Sequence, residues 1–343
     1  MAFHFGRNDK IGITQEATYN AAWAAPAAAT GTWLHTTTFE FNSSIEAMRS
    51  GFATGQVYPK TTEIVRGVRG ITGHLEMLTH KNELAWLILN SLGKVTTTTV
   101  ASKQKHIFIL SGNTPKSVAF VVQHPETGLA RQYQVTGCAI TKAVLSWKMN
   151  EPIMLACDFT GADFAEAAVS GSPTYNPTPT SSEPYFKYPV SALTWNINSA
   201  TAWGNVTITF DFNYADSIEE SYEGGSLTRK RLERAANDQA PCKITGVAQR
   251  VYTGNSLYGV FNADTSFEAY YRDILTPDGS SYHLGVNMAV CRPLDYKHIK
   301  RSNGLVDEQI TFEAVSNLDT AYTDNDFNIT LVDDQTNPAT QTP

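Results

Sequence analysis

Four stretches of this sequence carry the residue types of a chemical site, and in each the spacing decides what they can do. Gly112-Asn113-Thr114-Pro115-Lys116-Ser117 ends like a phosphate loop, in which backbone N–H groups and a lysine cradle phosphates. Pro115 stands where glycine must precede the lysine and has no N–H to offer, so nucleotide binding is not expected. Asp324, Asp326 and Asn328 have the opening spacing of a calcium loop, but Ile329 takes the place of the sharp-turn glycine and no closing carboxylate follows. That stretch reads as a solvated acidic tail. The eight histidines, at 4, 35, 74, 80, 106, 124, 283 and 298, form no HExxH pair and no cluster with cysteines. His74 and His80 read as surface or satisfied residues rather than ligands. No GxSxG elbow sets a nucleophile beside a base. The sequence therefore predicts no catalytic, cofactor-binding or metal-ligating residue and no enzyme.

The fourth stretch is basic, Thr228-Arg229-Lys230-Arg231-Leu232-Glu233-Arg234. Three readings stand open: a nucleic-acid patch, a solvated loop, or an arm docking on an acidic surface of another copy. The formal charge of -7 argues against a protein that wraps nucleic acid for affinity, which needs concentrated Lys and Arg. Charged residues are only 17% of the chain, and small polar and aromatic residues punctuate short apolar runs, a β-rich composition. Cys138, Cys157, Cys242 and Cys291 lie far apart and read as reduced, mostly buried thiols. Residues 1–10 lack the apolar core of a signal peptide and no apolar run is long enough to span a membrane, so the expectation is a protein made in the cytosol with no membrane contact.

What positions these residues is a duplication. A constant shift of ~173 positions carries Ser44-Ile45-Glu46 onto Ser217-Ile218-Glu219, Gly51 onto Gly224, Ile71-Thr72-Gly73 onto Ile244-Thr245-Gly246, Asn82 onto Asn255 and Leu84 onto Leu257. With two residues fewer between the copies, Thr38-Phe39-Glu40-Phe41-Asn42 answers Thr209-Phe210-Asp211-Phe212-Asn213. In the first copy a strand over 36–41 leads into a long excursion, 42–65, containing Phe52, Val57 and Tyr58; the second excursion is 213–241. Excursions of that length serve function or interaction. A strand over 68–78 precedes a helix with Asn82 as N-cap, Leu84, Leu87, Ile88 and Leu92 on one face, and Gly93 as its stop. Strands follow at 105–110, 117–123, 132–141, 143–147 and 153–160, and in the second copy at 193–197, 205–213, 242–251, 267–275, 282–290 and 306–315, with a short helix near 255–262. Many strands and one helix per copy describe a mainly β fold: two sandwiches or open barrels, each with a helix on its flank. The domains are expected at 1–165 and 192–335, joined by a Pro/Ser/Thr-rich linker, 166–191, with a polar tail over 336–343.

The order of these features resembles the tail tube proteins of long-tailed bacteriophages, in the variety that fuses two tube domains. The resemblance rests on Gly12-Ile13-Thr14-Gln15-Glu16-Ala17-Thr18-Tyr19, Phe39-Glu40-Phe41, Val68-Arg69-Gly70-Ile71-Thr72-Gly73-His74-Leu75, the helix from Glu83 to Leu92, and Lys105-His106-Ile107-Phe108. It continues through Tyr133-Gln134-Val135-Thr136-Gly137-Cys138 and Leu155-Ala156-Cys157-Asp158-Phe159-Thr160-Gly161, and more loosely through the second copy. It implies trimeric rings of pseudo-sixfold symmetry, stacked into a channel that delivers DNA from a non-contractile tail. The tape measure, tail terminator and distal tail proteins would be partners, and DNA would slide past an acidic lumen without binding. Assembly would occur in the host bacterial cytoplasm and the product would be the virion tail. By the same resemblance Phe52, Val57, Tyr58, Arg66, Arg229, Lys230, Arg231 and Arg234 would contact the next ring. The helix with Asn82, Leu84, Leu87, Ile88 and Gly93 would be scaffold outside the channel wall. The alternative is a receptor- or carbohydrate-binding tandem β-sandwich, which would need aromatics such as Trp195, Trp203 and Tyr222 grouped on one face.

Overall fold

The computed structural model describes residues 9–16, 18–21, 31–49, 64–110, 117–124, 131–147, 151–168, 184–186, 193–197, 207–213, 218–221, 231–234, 243–252, 265–272, 281–315 and 327–335. The chain is mainly β, with one helix among the described residues. The first half runs β1 (Lys10–Gln15), β2 (Gly31–Leu34), β3 (Thr36–Arg49), β4 (Ile64–Leu78), α1 (Leu84–Leu92), β5 (Gly93–Val100), β6 (Lys103–Leu110), β7 (Val118–His124), β8 (Arg131–Trp147), β9 (Met154–Gly161) and β10 (Asp163–Ala168). The second runs β11 (Leu193–Ile197), β12 (Thr207–Asn213), β13 (Ile218–Ser221), β14 (Arg231–Arg234), β15 (Lys243–Val251), β16 (Thr265–Arg272), β17 (His283–Lys300), β18 (Val306–Ala314) and β19 (Phe327–Asp333).

The duplication is written in the strand pairing. In the first half the long β8 joins two sheets: its N-terminal part pairs with β7 and β10, and its C-terminal part with β9. β7 pairs on to β1, and β9 pairs on to β4 and then β3. In the second half β17 does the same, with β16 and β19 on its N-terminal part and β18 on its C-terminal part. β16 pairs on to β11, and β18 on to β15 and β12. Both long strands slip register at the same place, between Ile140 and Lys142 in β8 and between Pro293 and Asp295 in β17. A bulge adds twist and lets one strand serve two sheets. Gly137, with φ of 62°, sits just before the change of sheet in β8, a dihedral that a Cβ would strain.

Registers refine the sequence alignment. Gly73 faces Phe41 and Gly246 faces Phe210, so β3 and β12 correspond two residues away from the match of Phe39 with Phe210. Because side chains alternate with period two, that shift leaves the faces unchanged. The copies differ in what joins β4 to β7: residues 79–117 hold α1, β5 and β6, whereas the corresponding connection, 252–264, is much shorter. The expected second helix lies outside the described residues.

Core residues of both halves form one cluster, from Ile13 and Leu34 to Ile329 and Leu331. All nine residues of α1 are buried, and it packs on β8, β6, β1 and β5. The helix is therefore packed within the fold of the chain. A helix this short does not persist in water, and each fully buried leucine contributes roughly 1.5–3 kcal/mol that propensity cannot. Its N-cap is Glu83 rather than Asn82, without a side-chain cap hydrogen bond, while Gly93 ends it in the left-handed region at φ 101°.

Candidate assembly surface

Because the C-terminal part of β8 also pairs with β12, the two halves share one antiparallel sheet in the order β3, β4, β9, β8, β12, β15, β18, β17. One face is the core face, with Ile71, Leu75, Leu155, Cys157, Phe159, Ala143, Leu145 and Trp147 from the first half and Ile244, Ala248, Ile310 and Phe312 from the second, all buried. The alternate residues form an open polar face: Thr38, Glu40 and Asn42 on β3, Thr72, His74 and Glu76 on β4, Asp158 on β9, Lys142 and Ser146 on β8, and Thr245 and Gln249 on β15. Gln309, Thr311 and Glu313 on β18 and Asp295 and Lys297 on β17 complete it. Carboxylates outnumber cations on this face.

Across four neighbouring strands Glu40, His74, Asp158 and Lys142 stand opposite one another in a row of alternating sign. Opposed charges on adjacent strands stabilise a sheet by a few tenths to ~1 kcal/mol each. His74 Nδ1 lies 2.5 Å from Asp158 Oδ1 and its Nε2 3.3 Å from Glu76 Oε1. The Asp158 hydrogen bond raises the His74 pKa, with Glu76 adding to it and burial opposing it. Glu40, His74 and Asp158 line a groove of about 570 Å³ together with Gly73 and Thr160.

Polar anchors hold the two halves together away from that face. β19 pairs with β6, a second seam between the copies. Just beyond β19, Asp334 Oδ1 receives the Lys103 ammonium at 2.7 Å, its Oδ2 accepts the Tyr282 hydroxyl, and its backbone N–H donates to Asn82 Oδ1 at 3.2 Å. Burial would depress the Lys103 pKa, but Asp334 and Tyr282 outweigh it and hold it raised. His106 Nε2 meets the buried Asp333 at 3.2 Å, and burial raises the Asp333 pKa. The stretch from 333 to 335 is thus an anchor; residues 336–343 lie outside the described residues. Near the other end, buried Arg250 gives Glu308 Oε2 two hydrogen bonds, at 3.0 and 2.9 Å, and Tyr296 donates to Oε1 at 3.1 Å.

Among the described residues one cluster has the composition of a metal site: His35, His80 and Glu83, with donor atoms within 4.8 Å of one another. The two imidazoles are stacked at 4.9 Å with only 17° between their planes. Nitrogen lone pairs lie in the ring plane, so two nearly parallel rings cannot both aim at one ion. The cluster instead serves as a hydrogen-bonded tie. The His35 backbone donates to Glu83 Oε2 at 2.7 Å and its Nδ1 meets Oε1. The Glu83 hydrogen bond raises the His35 pKa, whereas burial lowers that of His80.

At both ends of the first excursion the strands run on and pair: β3 continues to Arg49 and β4 begins at Ile64, so the strand predicted to stop at Phe41 does not. Arg66 pairs with Ala47 there, while Phe52, Val57 and Tyr58 lie outside the described residues. The second excursion contains the ribbon β13–β14, in which Arg231 stands opposite Ser221 and Arg234 opposite Ile218; Arg229 and Lys230 lie outside the described residues. Leu84, Leu87 and Ile88 are helix core. Cys138, Cys157 and Cys291 are buried free thiols, and burial pushes the Cys157 thiol up further.

The family model described as phage tail tube protein matches residues 6–314, spanning both copies of the repeat. The chain belongs to the phage tail tube protein family. It is accordingly a structural subunit that self-assembles into a tube, a component of the virion tail. No curated protein matches it.

Proposed function

We propose that the chain closes as trimers of pseudo-sixfold symmetry, and that these rings stack into the channel through which phage DNA is delivered to the host. The observation that carries this reading is the eight-stranded sheet running through both copies, core on one face and open, polar and net acidic on the other. Such a face, turned inward, repels phosphates and lets DNA slide. Glu40, Glu76, Asp158, Asp295 and Glu313 line the bore in this reading. The first excursion, with Phe52, Val57 and Tyr58, together with Arg66, Arg229, Lys230, Arg231 and Arg234, contacts the next ring. The two halves act as the tube domains, 1–165 and 192–335, linked by 166–191. The tape measure, tail terminator and distal tail proteins are partners at the lumen and ends, and assembly takes place in the host bacterial cytoplasm.

Electron microscopy of the purified, polymerised protein tests the reading. Hollow rings with six similar lobes and three chains are expected; solid aggregates, or rings whose lumen is lined by the basic run, would overturn it.

A further inference from the structure

Residues 184–186, inside the proposed linker, are strapped across the turn that leads into α1. The Lys81 backbone N–H donates to the Pro184 carbonyl and the Phe186 N–H to the Thr79 carbonyl, both at 2.9 Å. The Ile153 N–H donates to the Phe186 carbonyl at 2.8 Å, and the Phe186 side chain is fully buried. At the centre of the strap Tyr185 bridges His80 antiparallel, and its ring meets the His80 imidazole edge-on, with centroids 5.6 Å apart and 85° between the planes. Three residues bury little surface of their own, so such a strap opens at a lower free energy than the strands beneath it.

The imidazole under Tyr185 is the one stacked on His35. A single carboxylate serves both rings: Glu83 Oε1 meets His35 Nδ1 and lies 3.2 Å from His80 Nδ1, while Glu83 Oε2 accepts the His35 backbone N–H. Glu83 and His80 are buried, as is Lys81 beside them. The titratable groups facing His80 are therefore Glu83 and Lys81 from its own turn, His35 from the junction of β2 and β3, and Tyr185 from the strap. His35, bonded to Glu83 and half-buried, takes the first proton. A second proton on His80 sets two parallel cations on one carboxylate oxygen, with the Lys81 charge adding to the repulsion and little water to screen it.

We infer that His80 is an acid-sensitive clasp for the strap: neutral, it packs under Tyr185 and holds residues 184–186 on the fold; protonated, it lets them go. The clasp belongs to the single chain and is independent of the tube. Burial lowers the His80 pKa; Glu83 opposes this, and His35 and Lys81 reinforce it. A lowered histidine contributes stability that is present above its unfolded value, ~6.5, and lost as pH falls through the folded value. Within that window opening of the strap rises about tenfold per pH unit. The sign is opposite to that of His35, so the two titrations are separable.

Hydrogen exchange of the full chain, corrected for the intrinsic rate at each pH, tests this at the amides of Lys81, Ile153 and Phe186. Their protection is expected to fall about tenfold per pH unit below ~6.5, while the amides of β4 and β9 stay protected. His80→Asn keeps a polar atom near Glu83 and takes no proton, so its strap is expected to be equally protected at about pH 7 and about pH 5. His35→Asn leaves Glu83 to neutralise the His80 charge and is expected to shrink the acid response. Protection at these three amides that acid leaves unchanged, or that falls as steeply in His80→Asn, overturns the clasp. A response of full size in His35→Asn overturns it as well.

Discussion

Phe159 lays its ring over Gly73: the two stand opposite each other on β9 and β4, and a Cβ on Gly73 would lie 2.2 Å from the ring's Cζ. One repeat later Phe312 covers Gly246 in the same way, with 2.2 Å to its Cε2. An aromatic ring lying on a cross-strand glycine recovers the packing the glycine lacks. This explains why Ile-Thr-Gly recurs. Gly73→Ala and Gly246→Ala are each expected to destabilise the fold by about 1–3 kcal/mol through overpacking, read as a lower denaturant midpoint. Pairing Gly73→Ala with Phe159→Leu should recover part of that loss, since the offending ring is gone.

His74 is expected to titrate above ~6.5 because Asp158 holds its proton. A raised histidine contributes stability that is fully present below the unfolded pKa and lost as pH rises through the folded one. NMR titration checks it, and Asp158→Asn should return the midpoint toward ~6.5, with Glu76 retaining a smaller part of the shift.

The same sign holds for His35, raised by Glu83. Stability should therefore fall as pH climbs through its folded pKa, and Glu83→Gln should remove that pH dependence. Thermal melts across neutral pH give the measurement. Because His35 is half in water, the effect is screened and modest.

Asp334→Ala leaves Lys103, 3% exposed, without its carboxylate. Breaking a buried pair from one side costs on the order of 3 kcal/mol. Hydrogen exchange should quicken first in β6 and β19, the seam that this carboxylate pins through Lys103, Tyr282 and Asn82.

Charge reversal on the open face probes the proposed lumen. Glu40→Lys with Glu76→Lys should leave the tubes intact, because both side chains point away from the core, and should slow DNA ejection from assembled particles, an effect that salt relieves. Ejection at the unmodified rate at low salt would place those residues elsewhere.

Much of this was legible from local pattern. Alternating apolar residues marked β4, β9 and β15, and a left-handed stop was readable at Gly93. The constant shift from Ile71-Thr72-Gly73 to Ile244-Thr245-Gly246 marked the duplication. β19 went unread although Phe327, Ile329 and Leu331 alternate, because the acidic residues around them suggested a solvated tail. β5, a run of threonines, has no apolar stripe to betray it, and Asn82 looked like a cap because its role with Asp334 lies far away in sequence.

The sequence by itself determined that the chain is a β-rich tandem repeat without a local catalytic motif, since alternation, turn residues and self-similarity are properties of neighbouring residues. Only the tertiary structure decided that α1 is buried, that Phe159 and Phe312 cover the repeat glycines, and that β8–β12 and β6–β19 stitch the copies together. Those are pairings between strands distant along the chain. Backbone hydrogen bonding, which makes them, has no residue code of its own.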